Sequence, residues 1–415
     1  MAQVKPELET FAKIKVVGVG GAGGNALKRM IACKIHGVDF VAINTDAQDL
    51  HHVGAPERLH IGKNLTKGLG AGMNPEVGRQ AAEENRDEIH EVVKGADMVF
   101  VTCGMGGGTG TGASSIVAEA AKDSGALTVA VVTKPFTFEG HQRSRLAESG
   151  LEQLRERVDT LITIPNDKLL AIIDRKTSLV NAFSVVDDVL RQAVQGISDL
   201  VTIPGIVNVD FADIKAIMQN AGSALVGIGK ASGEDRAAEA AKMAVNSPLL
   251  EVSIDGAKGV LFNISGGSDL AMTEINEAAK VITESIDTDA KVIFGAVIDD
   301  KAKKGEIKIT VIATGFDEEK VLTPVNLETK VQDIAPISHM SNSSAMPLRP
   351  SMQMGSSSIS NTNNADIKKE DKLVDNIKKA SEVEKQKPVI AIADEDVEDD
   401  KDEWDIPAFI RRKMK

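Results

Sequence analysis

Aromatic residues are scarce in this chain. Phe, Trp and Tyr make up 3% of its 415 residues, Tyr is missing, and the single Trp is Trp404. Single-stranded nucleic acid is held on stacked rings, so that partner class has no platform here. Cationic excess is missing as well. The formal charge of -13 opposes a polyanion spread over the surface, and no nucleic-acid partner is expected. The two cysteines, Cys33 and Cys103, are too few for a disulfide framework or a zinc site. Their apolar neighbours predict two small buried side chains. No apolar run is long enough to span a bilayer, and the start, MAQVKPELETFAK, has no apolar signal core. Together these absences predict a soluble, cytoplasmic chain with no direct membrane insertion.

Glycine, by contrast, is clustered. VGVGGAGGNAL sets Gly18, Gly20 and Gly23 in G-x-G-x-x-G spacing between a strand and a helix. Alone this suggests a dinucleotide turn, and Asp46 stands near the distance of its ribose-binding acid. On that motif alone an NAD-dependent oxidoreductase is one reading. VTCGMGGGTGTGA carries Gly104, Gly106, Gly107, Gly108, Gly110 and Gly112 just before a helical run, with no Lys following. It is therefore not the lysine-bearing phosphate loop. LTKGLGAGMNP adds Gly68, Gly70 and Gly72. Several such turns suggest one ligand with several phosphates, held by backbone N–H groups from more than one side. Loop dipoles and helix N-termini then replace the lysine.

Apolar strands alternate with helical runs in the first part. AKIKVVGVG, VDFVAIN, ADMVFVT, ALTVAVV and TLITI read as buried strands. Helical spacing occupies NALKRMIACKI, 112–122 and 141–158. NPEVGRQAAEENRDEIHEVVKG reads as one helix, with Asn74 as N-cap, Pro75 at its first position and Gly95 at its stop. This alternation predicts an α/β fold: a parallel sheet with helices on both faces, and a ligand at the carboxyl ends of the strands. Leu179, Phe183, Val186, Leu190, Val194, Ile197 and Val201 then mark one long amphipathic helix ending at Pro204-Gly205. Helix, strand, helix, strand, helix and two strands follow, a second and smaller α/β unit. The expected divisions are a flexible 1–10, a nucleotide-binding domain 11–175, a central connecting helix 176–204 and a second domain 205–316. A polar, low-complexity linker occupies 317–398. The end, 399–415, regains Trp404, Ile406, Phe409 and Ile410 beside Pro407, as in a short recognition peptide on a tether.

GVGGAGGNA, GLGAGMNPEVG, GMGGGTGTGA, PFTFEGHQR, VNVDFADI and DIPAFIRR together resemble the tubulin/FtsZ family over about 11–316 and again at the last residues. The departures are small: Cys103 where Ala is common, Ser114-Ser115 where Ala-Pro is frequent, and Asp188 where Asn is frequent. The resemblance implies a tubulin-like variant of the dinucleotide fold that binds GTP and GDP, with Mg2+ on the phosphates, and acts as a GTPase. It implies that Gly20, Gly21, Ala22, Gly23, Gly24 and Asn25 bind the nucleotide. Gly107, Gly108, Thr109 and Gly110 would hold phosphates, with Ala71 and Gly72 at the γ-phosphate. Glu139 and Arg143 would face the ribose. Asn166 and Asp187 would read guanine, with Phe183 packed on the base. A carboxylate suits the donor edge of guanine.

Asp210 and Asp213 stand three residues apart at a helix start, with Asn208 just before. Read alone, they stabilise a helix dipole. The resemblance makes them catalytic, acting on the nucleotide of a neighbouring subunit in a head-to-tail homopolymer. It further implies a role in cytokinesis at a midcell ring, and docking of the peptide 403–413 to membrane-tethering or regulatory division proteins such as FtsA. A nucleotide-bound filament protein that does not hydrolyse is the remaining rival.

Overall fold

In the first half of the chain the inner strands are mainly apolar, because both faces of their sheet are covered. The computed structural model describes residues 12–170, 177–203, 205–250, 254, 256–298 and 305–316. The expected N-terminal segment 1–10, the linker 317–398 and the peptide 399–415 lie outside the described residues, as does Pro204.

The elements run β1 (Ile14–Val19), α1 (Gly20–Ala32), β2 (Val38–Asn44), α2 (Ala47–His52), β3 (Glu57–His60), α3 (Lys63–Thr66), α4 (Pro75–Glu84), α5 (Arg86–Val93), β4 (Met98–Gly104), α6 (Thr109–Asp123), β5 (Leu127–Lys134), α7 (His141–Arg155), β6 (Thr160–Pro165) and α8 (Asn166–Leu169). Strands β3-β2-β1-β4-β5-β6 lie side by side, all parallel. Side chains alternate between the two faces, as the two-residue period of a strand requires. Val16, Phe100 and Val129 pack with α1 on one face. Val17, Val101 and Val132 pack with α4, α5, α6 and α7 on the other.

The stretch after Asn74 departs from expectation. Asn74 does cap α4, accepting from Glu76 N at 3.1 Å, with Pro75 first in the helix. The single helix expected up to Gly95 is broken at Asn85 into α4 and α5. There the Asn85 side chain accepts a bond from Gly62 N at 2.8 Å, a non-local contact that competes with the helical ladder. Cys33 also departs: it is exposed at the end of α1, where the chain turns off the sheet, whereas Cys103 is buried as expected.

α9 (Leu179–Thr202) starts at Ser178, whose side chain accepts from Asn181 N. Val186, Val189, Leu190, Ala193, Val194, Ile197 and Leu200 form its buried stripe, at three- and four-residue spacing. Then come α10 (Phe211–Met218), β7 (Gly222–Ser232), α11 (Arg236–Val245), β8 (Gly259–Gly266), α12 (Met272–Thr283), β9 (Lys291–Ile298) and β10 (Glu306–Thr314), the predicted order. β7 joins β6 through three parallel pairs from Thr160↔Gly222, so the sheet continues as β7-β10-β8-β9. β10 alone is antiparallel to its neighbours. The α9 stripe shares one core with residues from both halves of the sheet, such as Val16 and Ile312. α11 and α12 cover the opposite face of the second half.

Candidate functional site

The carboxyl ends of β1, β2, β4, β5 and β6 open into a cavity of about 450 Å³. That size suits a small-molecule ligand. Two helices start at its wall without a side-chain cap. α1 follows Val19 and α6 follows Gly108, and neither has an acid in its first turn. Each start leaves up to four N–H groups without helical partners and carries the positive end of the helix dipole. α6 begins at Thr109, three residues before the predicted 112, so its first N–H groups belong to the glycine motif itself. Such a wall attracts anions.

Some of the glycines here are explained by backbone meeting backbone. A Cβ on Gly20, whose φ is +72°, would lie 2.9 Å from Gly110 N. One on Gly108 would lie 2.4 Å from the Gly72 carbonyl oxygen. Gly107 alone among Gly107, Gly108 and Gly110 would meet nothing within 4 Å. The third glycine loop is pinned to the chain after β2. Ala47 N donates to Gly68 O, Gly70 N donates to Thr45 O, and Thr45 shares a 2.6 Å hydroxyl bond with Thr109. Gly70, Ala71 and Gly72 thereby face the cavity.

Acceptors gather at the other end. Asn166 is 5% exposed, and its Oδ1 has no hydrogen-bond partner, which leaves an open acceptor at the cavity wall. Asp187 on α9 lines the same end, and burial pushes its carboxyl up to about 6, against the opposing influence of Arg29. Phe183 is 41% exposed and packs edge-on against Phe136, with ring centres 5.5 Å apart. Between the two ends lie Glu139 and Arg143. They form an ion pair one helical turn apart, and Glu139 also accepts from Phe136 N at 2.9 Å. Both also face the cavity.

The structure thus brings together Gly20, Gly21, Ala22, Asn25, Ala71, Gly72, Gly107, Gly108, Thr109, Gly110, Glu139, Arg143, Asn166, Phe183 and Asp187. It does not bring Gly23 and Gly24 to the cavity. A Cβ on Gly23 would lie 2.5 Å from Thr102 O, and one on Gly24 2.9 Å from Val53. Both glycines let α1 pack closely against its neighbours. Asn208, Asp210 and Asp213 are not at the cavity either. All three are exposed, beyond the far end of α9. From Phe183 to Thr202 that helix spans about 28 Å, at ~1.5 Å per residue. Thr202 there packs on Gly37, which precedes β2 at the amino-end edge of the sheet. Asn208 Oδ1 accepts from Gly205 N at 2.7 Å, and Asp210 occupies the N-cap position of α10 without capping it.

Asp46 lines the cavity but caps α2, accepting from Gln48 N and Asp49 N. That use of its Oδ1 weakens the ribose-acid reading. Sequence reasoning did not find Asn44, Asp49, Thr133, Pro135, Val186 or Leu190 in this wall. Asn44 and Thr133 could have been found from their places at strand carboxyl ends. Asp49 and Pro135 carry no sequence signal.

Residues 13–174 match the model of the Tubulin/FtsZ family, GTPase domain, and residues 222–317 that of the FtsZ family, C-terminal domain. Among solved structures, the chain is similar to an empty FtsZ dimer from M. jannaschii. Identity is 49% and the TM-score 0.72, over 74% of this chain and 89% of that one. It is also similar to CetZ2 from Haloferax volcanii, solved as a GTPγS-bound protofilament, and to CetZ1 from the same organism, a GDP-bound monomer. Identities there are 21% and 22%, both with TM-score 0.64, over 74% of this chain and 96% and 97% of those. At that identity the likeness speaks for the fold.

Proposed function

This chain belongs to the tubulin/FtsZ family, and from that premise we propose that it is a self-assembling cytoskeletal GTPase whose active site forms between stacked copies. Its GTPase-domain fold is that of the family. GTP would lie with its phosphates against the uncapped starts of α1 and α6 and the 70–72 loop. Guanine would present its N1–H and amino group to Asp187 and to the orphaned Asn166 Oδ1. Adenine has an acceptor where guanine has N1–H, so this acceptor pair favours guanine. Phe183 would cover the base, and the Glu139–Arg143 pair would bound the ribose.

One observation carries the assembly reading. The residues that would handle the attacking water, Asp210 and Asp213, are exposed beyond the end of α9 remote from the cavity. No single copy offers them to its own phosphates. A second copy stacked head to tail would, and such a contact does not close on itself, so it makes a filament. Asp213 or Asp210 would then orient or deprotonate water for the neighbour's γ-phosphate. Among the described residues no group of three or more His, Cys, Asp or Glu is placed to hold a metal ion. Mg2+ would therefore be carried mainly by phosphate oxygens and water, where it would neutralise phosphate charge. A role in cytokinesis at a division ring in the cytoplasm, and docking of the peptide 403–413 to a membrane-tethering protein such as FtsA, extend the same proposal. No helix among the described residues is long and apolar enough to cross a membrane.

The test is phosphate release from GTP measured against protein concentration, with light scattering read in the same samples. Specific activity should rise steeply above the concentration at which scattering appears. Specific activity independent of concentration would place the whole active site in one subunit and end the shared-site reading.

A further inference from the structure

The phosphate end of the cavity has one wall that works against its purpose. Helix starts and glycine turns supply N–H groups on the other sides. The wall made by the end of β2 and the start of α2 presents carboxylates instead. Asp46 is committed to the α2 cap. Asp49, one turn on, accepts from Asn44 Nδ2 at 2.8 Å through Oδ2. That oxygen lies 3.2 Å from where a Cβ on Gly21 would stand, in the first turn of α1. Among the described ion pairs, none involves Asp49. Burial, then the neighbouring Asp46, raise its carboxyl above the ordinary value, while the bond from Asn44 and, after it, His52 on α2 and Lys28 on α1 act the other way. The bond to Asn44 needs only an acceptor, and a neutral amide oxygen would serve it. The charge favours the dipole of α2, in whose first turn it lies, but has no ion-pair partner among the described residues.

We propose that Asp49 limits affinity for phosphate-bearing nucleotides, its charge opposing the phosphates across the start of α1 and keeping bound nucleotide exchangeable. This rests on the guanine-nucleotide reading of the cavity. The reasoning is electrostatic. The first turn of α1 is where a phosphate gains most from orphan N–H groups and the helix dipole. A carboxylate already beside that turn takes part of the gain and repels the incoming charge. For one unit charge at about 6–8 Å and an effective dielectric of about 40, the repulsion is worth roughly a five- to tenfold change in dissociation constant. A site that must trade product for fresh substrate benefits from such a limit, because tighter binding would slow release.

The experiment uses the full-length chain freed of nucleotide. Dissociation constants for GTP, GDP and guanosine are measured for wild type and Asp49→Asn, with Mg2+ and with EDTA, at low and high salt. The amide keeps an acceptor for Asn44 and removes only the charge. GTP and GDP should bind about five- to tenfold tighter to the variant, guanosine should be unchanged, and the gain should shrink at high salt. GDP should leave the variant more slowly by a similar factor. Asp49→Ala, which loses the Asn44 bond as well, should also tighten GDP but not guanosine, and it guards against a fold defect particular to the amide. Equal tightening of guanosine, or no change in GDP affinity, would overturn the proposal. Weaker GTP binding, with or without Mg2+, would overturn it by showing that the carboxylate attracts the ligand. Wild type that binds neither nucleotide would instead remove the reading beneath it, an outcome visible before any variant is compared.

Discussion

Two adjacent glycines separate ligand contact from packing. Gly107 and Gly108 stand side by side at the cavity, yet an added methyl meets different surroundings. At Gly108 the Cβ would be 2.4 Å from the Gly72 carbonyl oxygen and 2.9 Å from the Ala71 Cβ. Ordinary contact begins near 3.4 Å, so the 70–72 loop must retreat by about 1 Å. That loop is pinned by Gly70 N to Thr45 O, and overpacking of this kind costs about 1–3 kcal/mol. In a folded unit of this size the unfolding temperature should drop by roughly 2–10 °C. Gly108→Ala should also weaken GTP more than GDP, because the displaced loop is the one assigned to the terminal phosphate. At Gly107 the added Cβ meets no protein atom within 4 Å. Gly107→Ala should leave the unfolding temperature of the nucleotide-free protein within about 1 °C. It should still weaken GDP and GTP at least tenfold, since the methyl would project into the space a phosphate needs. Calorimetry of the nucleotide-free protein and direct nucleotide titration give both numbers. Equal destabilisation by the two substitutions would refute the loop geometry. Unchanged nucleotide affinity in Gly107→Ala would remove this turn from the binding site.

Four further outcomes follow from the structure. Asp213→Ala should bind GTP as wild type does but turn it over about a hundredfold or more slowly, and activity should partly return when it is mixed with Gly108→Ser, which keeps the acids and loses the pocket; full turnover by Asp213→Ala alone would remove the acid from the chemistry. Asp187 needs its charge to accept from guanine, and burial pushes its pKa in the folded protein up to about 6, above the ordinary carboxylate value, so GTP affinity should fall as pH drops from 7 to 5 while the gap between GTP and ITP closes. The same shift favours the folded state below the unfolded pKa and loses that favour as pH rises through 6; nucleotide-free Asp187→Asn should therefore unfold at a higher temperature than wild type at pH 8, by a margin that narrows towards pH 4. Arg236, 6% exposed, binds Glu274 through two nitrogens and also Asp269, which in turn accepts from Gly305 N at 3.1 Å; Arg236→Met should cost about 2 kcal/mol or more in denaturant unfolding with nucleotide affinity unchanged, and an unchanged midpoint would show the cluster to be idle.

How much of this was legible beforehand depended on whether the cause was local. Asn74 before Pro75 caps α4 because both residues act within one turn, and that was readable. The break at Asn85 was not, because it follows from a bond to Gly62, twenty-three residues away in sequence. The exposure of Cys33 was missed for a related reason: apolar neighbours in sequence do not say which side of a helix end turns outward. The parallel order of the first six strands followed from strand–helix alternation, whereas the antiparallel β10 had no local mark. Asn166 and Asp187 were named through family resemblance. The structure adds what no pattern contains, an orphaned oxygen at one and a desolvated carboxyl at the other.

The glycine clusters and the acids illustrate the limit from opposite directions. Glycine was read as room for a ligand, yet Gly23, Gly24 and Gly108 make room for protein backbone or side chains, whereas Gly72 and Gly107 have open space before them. Close packing and ligand approach demand the same residue type, so the letter alone cannot separate them. The separation of Asp210 and Asp213 from the glycine loops, on the other hand, was already written in the length of one amphipathic run. A continuous helix from Phe183 to Thr202 must carry the chain about 28 Å away from the base end of the cavity. Its buried stripe forbids a bend back, because Val186, Leu190, Val194 and Ile197 are all committed to the core. Any catalytic use of the acids therefore had to involve a second molecule as soon as α9 was recognised as unbroken. On the proposed reading, a short hydrophobic period in the sequence, taken with ~1.5 Å per residue, sets the order of events: the nucleotide would bind to one copy, and its chemistry would wait for two.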